Sequence, residues 1–234
     1  MGQSNPFKKL YLYVICIAVL LAVKDENFLI DVSPVIEYVP TNEKVVALTF
    51  DDGPLNSTTP EILNILKEKN VKATFFVVGE RAKKFPALIE QEVKDGHEIG
   101  NHTYSHPWLT TLKENRITEE IEKTEDALFE IAPKPSLFRP PGGKYNKRTL
   151  ALARAKGYSI ILWSIDTEDW RSPPVGKVVD SVMRNIKPGS IILLHDGKYP
   201  SPTIESLTFI IDNLKSRGYQ FVTVSELLQY YEDQ

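Results

Sequence analysis

A distorted, TIM-like α/β barrel of about seven strands is the fold class this sequence predicts, on three observations. Short apolar, β-branched runs alternate with segments of helical periodicity along most of the chain. Such alternation implies a parallel sheet with crossover helices. The unit recurs often enough within 234 residues to favour a closed or nearly closed sheet over an open one. The polar clusters Asp51-Asp52, His102, Arg139, Asp166 with Asp169, and His195 each end or follow an apolar run. In barrels of this class, loops at the C-terminal strand ends carry the reactive groups.

The elements are expected in this order. Val45–Phe50 reads as a buried strand, stopped by the turn signal Gly53-Pro54. Thr59–Lys69 reads as a helix, with Ile62, Leu63, Ile65 and Leu66 at helical spacing. A strand over Val71–Val78, a helix over Phe85–Lys94 and a short strand over Glu98–Asn101 follow. Thr118–Ile131 is helical, with Ile121, Leu128 and Ile131 on one side. Next come a strand over Ser136–Arg139, a helix over Lys147–Lys156, a strand over Tyr158–Ile165 and a helix over Val175–Ile186. A strand over Ser190–His195, a helix over Thr203–Arg217, a strand over Gln220–Val224 and a helix over Ser225–Tyr231 complete the series.

Composition narrows the function classes. Hydrophobic residues make up 42% and charged residues 25%, ordinary for a globular protein. Lys+Arg 28 against Asp+Glu 31 leaves a net charge of -3, which does not point to a nucleic-acid partner. The start differs in character from the rest. A polar stretch carrying Lys8 and Lys9 precedes the unbroken apolar run Leu10–Val23, and Lys24-Asp25-Glu26-Asn27 ends it. That pattern is expected of a secretory signal or a membrane anchor over residues 1–24. The run is shorter than the roughly 20 residues of a comfortable membrane span, and Leu20-Leu21-Ala22 makes a poor cleavage site. Residues 25–43 read as a linker and 44–234 as one domain, placed outside the cytoplasm as a secreted or surface-tethered monomer. The single cysteine, Cys16, lies in the leader, so the exported part carries no disulfide and no thiol ligand or nucleophile.

Adjacent carboxylates at a strand end repel each other and are costly to desolvate. A cation on one of them and a proton-transfer task for the other would relieve this at Asp51-Asp52; two solvated loop acids read the pair as well. His102 and His106 in Asn101-His102-Thr103-Tyr104-Ser105-His106 are expected on one helical turn, facing one metal. With Asp52 they form two nitrogens and one carboxylate oxygen, a catalytic rather than a structural arrangement. Zinc is the default, with cobalt or another divalent ion suited to the same ligands. His97 opens a strand rather than ending one and reads as structural. His195 ends the run Ile191–Leu194 and is placed to act as a general acid, or to be hydrogen-bonded in a loop. Arg139-Pro140-Pro141-Gly142-Gly143 is a rigid turn whose arginine could pair with a carboxylate. In Trp163-Ser164-Ile165-Asp166-Thr167-Glu168-Asp169-Trp170, acids lie between two tryptophans, a combination suited to a sugar ring. Trp163 reads as barrel wall.

In order, Thr49-Phe50-Asp51-Asp52-Gly53-Pro54, His102-x3-His106, Arg139-Pro140-Pro141-Gly142, Asp166-x2-Asp169-Trp170 and Leu193-x-His195 resemble the five motifs of the polysaccharide deacetylases. This is carbohydrate esterase family four, the NodB-homology domain. The likeness runs from about Lys44 to Leu228. It implies Asp52, His102 and His106 as metal ligands, Asp51 as catalytic base and His195 as catalytic acid. It further implies that Arg139 holds Asp51, that Asp169 orients His195, and that Pro141, Gly142, Trp170 and Leu193 line the substrate pocket. The implied reaction is metal-dependent removal of N-acetyl groups from peptidoglycan or chitin oligomers. An amidohydrolase of another substrate and a non-catalytic wall-binding homologue are the alternatives. One departure stands out: many members have an aromatic after the two prolines, where this chain has Gly142.

Overall fold

The first strand, β1 (Val45–Asp51), is buried along its whole length. Its alternation sorts the residues onto two faces. Val46, Leu48 and Phe50 pack outward against helices, in a cluster with Ile62, Leu66, Phe75, Ile192, Leu194 and Ile210. Val45 and Ala47 pack inward with Phe76, Leu137, Ile161 and Ile191. Thr49 and Asp51 continue that inward row, so the strand pattern itself turns Asp51 into the interior.

The computed structural model describes residues 35–231. After β1 come α1 (Thr59–Glu68), β2 (Thr74–Val77), α2 (Gly79–Lys84), α3 (Pro86–Lys94), β3 (Glu98–Asn101), α4 (Glu114–Leu128) and β4 (Leu137–Phe138). Then follow α5 (Lys147–Ala155), β5 (Ser159–Ile160), β6 (Ile165–Asp166), α6 (Val175–Asn185), β7 (Ile191–His195), α7 (Pro202–Ser216), β8 (Gln220–Phe221) and α8 (Val224–Leu227). The strands lie in the order β5-β4-β3-β2-β1-β7-β6, with β8 pairing the start of β1. Every strand pair is parallel. The sheet curls into the expected distorted barrel with its helices outside. It has eight strands among the described residues, close to the expected number.

Two sequence expectations change here. The run Tyr158–Ile165 is not one strand. β5 and β6 lie at opposite edges of the sheet, because the backbone between them takes other partners: the carbonyls of Ile161 and Leu162 accept from the Arg139 guanidinium at 3.2 and 2.8 Å. Leu162 N donates to Ile36 O. Second, part of the expected linker belongs to the sheet. Ile36 bridges Ile161, Tyr38 bridges Ser190, and Val39 is buried. The segment thereby runs from the end of β5 to the start of β7, and the compact unit begins at Val35. The apolar run Leu10–Val23 and the leader reading lie outside the described residues.

Register sets the height of the functional residues. Asp51 pairs with His195 across β1 and β7, and with Phe76 across β1 and β2. Phe76 pairs with Gly100, and Asn101 with Phe138, one residue before Arg139. The five polar clusters therefore meet at one rim.

Candidate active site

At the centre lies a buried ion pair. Arg139 is fully buried and Asp51 nearly so. One guanidinium nitrogen donates to Asp51 Oδ1 at 2.6 Å and to Thr49 Oγ1 at 2.8 Å. The remaining donors go to the carbonyls of Ile161 and Leu162, and the planar head lies 4.0 Å over the Phe76 ring. A buried charge is tolerable only with this degree of pairing. Asp51 Oδ1 is thus committed to Arg139, while Oδ2 faces His102 Nε2 at 3.6 Å.

His102 is oriented from behind. Its Nδ1 lies 2.7 Å from the carbonyl oxygen of Arg139. A carbonyl can only accept, so Nδ1 carries a proton and Nε2 is the ring nitrogen left to face the cavity. That nitrogen, the Nε2 of His106 and a carboxylate oxygen of Asp52 converge, with ligand atoms of the three residues within 4.8 Å of one another. His106 Nε2 is 3.1 Å and His102 Nε2 3.5 Å from Asp52 Oδ1. Neither contact has hydrogen-bond geometry, and Asp52 Oδ1 is buried without a hydrogen-bond partner. Two imidazole nitrogens converging with an unpartnered buried carboxylate oxygen fit a divalent cation, and the Nδ1-to-carbonyl bond is the support such a ligand histidine commonly has. Burial opposes ionisation of Asp52, but the two imidazoles outweigh it and hold the carboxyl far below its usual range. Burial likewise lowers His106, and the Asp52 carboxylate overrides it and raises it.

The two histidines are not on a helical turn, as the spacing suggested. Residues 102–106 form an irregular loop in which Thr103 (φ 70) and His106 (φ 57) are left-handed, as is Asp52 (φ 75). The rings still meet, with centroids 5.0 Å apart. The loop is held by side chains that spacing could not reveal. Asn101 Oδ1 accepts from Thr103 N, and the buried Glu120 of α4 accepts from the amides of Tyr104 and Ser105 at 3.0 and 2.8 Å. Non-glycine residues in this region are strained and persist where their surroundings impose them.

Across the cavity, His195 Nδ1 lies 2.7 Å from Asp169 Oδ1. The second Asp169 oxygen accepts from His195 N at 2.8 Å and from Thr203 Oγ1 at 2.5 Å. Burial lowers the His195 pKa, but the Asp169 bond and charge, aided by Asp51 and Asp52, push it up to about 9. His195 is therefore an imidazolium at neutral pH, with Nε2–H free of this pairing. A cavity of about 370 Å³ joins these groups, lined also by Trp108, Gly142, Trp163, Asp166, Trp170 and Leu193.

Residues 38–161 match the family described as polysaccharide deacetylase. The chain belongs to the polysaccharide deacetylase family. It is 43% identical over 195 residues to a peptidoglycan-N-acetylglucosamine deacetylase of Bacillus cereus, covering 82% of this chain and 92% of that protein. A chitooligosaccharide deacetylase of a Bradyrhizobium species is 35% identical, covering 78% and 90%. Among solved structures, the Bc1960 peptidoglycan N-acetylglucosamine deacetylase in complex with 4-naphthalen-1-yl-N-oxidanyl-benzamide superposes with a TM-score of 0.81. It is 40% identical, covering 85% of this chain and 94% of that one.

As a member of this deacetylase family, the chain brings Asp51, Asp52, His102, His106, Arg139, Asp169 and His195 into one site. Leu193, Trp170 and Gly142 line its cavity, while Pro141 is buried in the turn beside it. His97 stays outside, its Nδ1 accepting from Ala73 N. Trp163, expected as plain wall, also lines the cavity. Motif reading gave no role to Thr49, Glu120, Thr203 or Asp196. The last is fully buried, with Oδ2 accepting from Thr59 Oγ1 at 2.6 Å. Burial raises its pKa. A Cβ at Gly53 would come within 2.0 Å of that oxygen, which leaves glycine as the residue that fits the turn after Asp52.

Proposed function

We propose that the chain is a metal-dependent deacetylase that hydrolyses N-acetyl groups of N-acetylglucosamine-type residues in peptidoglycan or chitin-like polysaccharide, releasing acetate. One observation carries the reading: a three-ligand cradle sits between a carboxylate with one free oxygen and a protonated imidazole, all opening to one cavity. Asp52, His102 and His106 would hold the cation, with Zn2+ the best match to two imidazoles and a carboxylate and Co2+ an alternative. When bound, it supplies Lewis acidity, polarising the acetyl carbonyl and lowering the pKa of water.

The other steps belong to the protein. Arg139 occupies Asp51 Oδ1, so Oδ2 takes the proton of the attacking water. The amides of Gly143 and Lys144 turn back to the carbonyls of Pro140 and Pro141, and Gly142 lines the cavity. Its amide is our candidate donor to the tetrahedral oxyanion. His195, oriented through Nδ1 by Asp169, delivers its Nε2 proton to the departing amine nitrogen. The acetyl carbon–nitrogen bond breaks, giving acetate and a free amine. Trp170 and Leu193 would enclose the acetyl methyl.

Such a substrate lies outside the cytoplasm, which agrees with a leader in residues 1–24; retention of Leu10–Val23 as a membrane anchor is part of the same proposal. Among the described residues no helix is long and apolar enough to cross a membrane. The test is acetate release from chitin oligomers and from purified peptidoglycan, with and without chelator. Chelator-sensitive release from either supports the reading. Binding of both glycans without release would favour a wall-binding homologue. Release from small amides alone would favour another amidohydrolase.

A further inference from the structure

The loop after the two histidines places a third aromatic at the cavity. Trp108 is 51% exposed and Trp170 45%, and both line the space that holds Asp51 and His195. Large exposed indoles lining a cavity are unusual unless something covers them. Trp108 is nevertheless fixed at its base. Its carbonyl accepts from Thr111 N at 3.1 Å and Thr111 Oγ1 at 2.7 Å, and the next residue, Leu109, is fully buried. The Lys144 ammonium stands 4.4 Å from the centre of its ring. Beneath the ring lies Gly142, at φ +59; a Cβ there would come within 2.7 Å of the indole. Trp170 repeats the arrangement, with the Arg171 guanidinium 4.6 Å from its ring.

We propose that Trp108 is a sugar-stacking platform beside the reacting centre, and that Gly142 lacks a side chain so that this indole can lie across it. The ligand class is a pyranose of the glycan chain next to the sugar whose acetyl group is removed, so the proposal rests on the deacetylase reading. The C–H face of the ring would cover the exposed indole, with Lys144 offering a donor to its hydroxyls.

In the full chain, Trp108→Ala is expected to lower kcat/KM for an N-acetylglucosamine tetramer about tenfold relative to kcat/KM for a small aryl acetate, mainly through KM. Trp108→Phe should recover most of the ratio. An unchanged ratio overturns the proposal, as does an equal fall on both substrates, which would mean that the indole only props its loop. Tetramer binding read by intrinsic fluorescence keeps the two readings apart. Binding that depends on Trp108 but gives no acetate release keeps the platform and sinks the deacetylase. Release that is indifferent to Trp108→Ala does the reverse. Gly142→Ala should weaken tetramer binding more in the native background than in Trp108→Ala, since the strain at φ +59 is common to both and cancels. Equal effects in the two backgrounds would overturn the role given to Gly142.

Discussion

His102 and His195 face the same cavity from opposite sides and are built alike. Each has Nδ1 2.7 Å from an oxygen, and each directs Nε2 inward. They differ in the oxygen. His102 meets an uncharged backbone carbonyl, and His195 meets the carboxylate of Asp169. A carbonyl fixes a ring without favouring a positive charge on it. A carboxylate fixes it and favours the imidazolium, which is why His195 reaches about 9 despite its burial. One geometry thus suits the two roles proposed, a metal ligand on one side and a proton donor on the other.

The largest expected effect comes from breaking the cradle side. His102→Ala should release the cation and reduce turnover roughly 10³-fold or more, read as metal content and acetate release together. Turnover near normal with metal lost would remove the cradle from the mechanism. On the other side, His195→Ala should cut kcat by about 10²–10⁴-fold while metal content stays unchanged, and Asp51→Asn should do the same. Metal loss in either variant would erase the distinction between the two sides.

The supports behind each ring are also unequal. Arg139→Met removes the partner of Asp51 and should destabilise the fold by about 3–5 kcal/mol in denaturant unfolding. His102 is held by the Arg139 backbone, so its ring should keep its place and the folded variant its metal. Asp169→Asn sharpens the comparison most directly, because it replaces the carboxylate by a neutral group. In the proposed mechanism His195 acts while protonated, so the rate should fall as pH rises through its pKa. In the variant, that alkaline limb should move down by about one pH unit or more. The same shift has a stability counterpart. A histidine raised from 6.5 to about 9 stabilises the fold fully below 6.5, and the contribution is lost as pH rises through 9. The smallest effect is expected from Thr203→Val, which removes one of the bonds to Asp169 Oδ2 and should lower kcat only several-fold.

Much of this site was legible in the chain because its residues end strands, and strand ends are local signals. The apolar run Val45–Phe50 before Asp51-Asp52 and the run Ile191–Leu194 before His195 place those residues at a rim without any tertiary knowledge. The loop of His102 and His106 shows the limit. Four-residue spacing is shared by helices and by irregular loops, and here Glu120 from a distant helix imposes the second. Likewise Tyr158–Ile165 is apolar throughout, yet Arg139 and Ile36 draw its middle out of the ladder.

The sequence alone determined the alternation of strand and helix, the order of the five clusters and the chemical types gathered at the rim. These follow from periodicity and from residues near one another in the chain. Tertiary structure alone decided which oxygen stands behind each imidazole, which oxygen of Asp51 stays free, and that Trp108 lies over Gly142. Each of these depends on a side chain or carbonyl brought from a remote element, and hydrogen bonds and ring contacts of that kind leave no periodic trace in the chain.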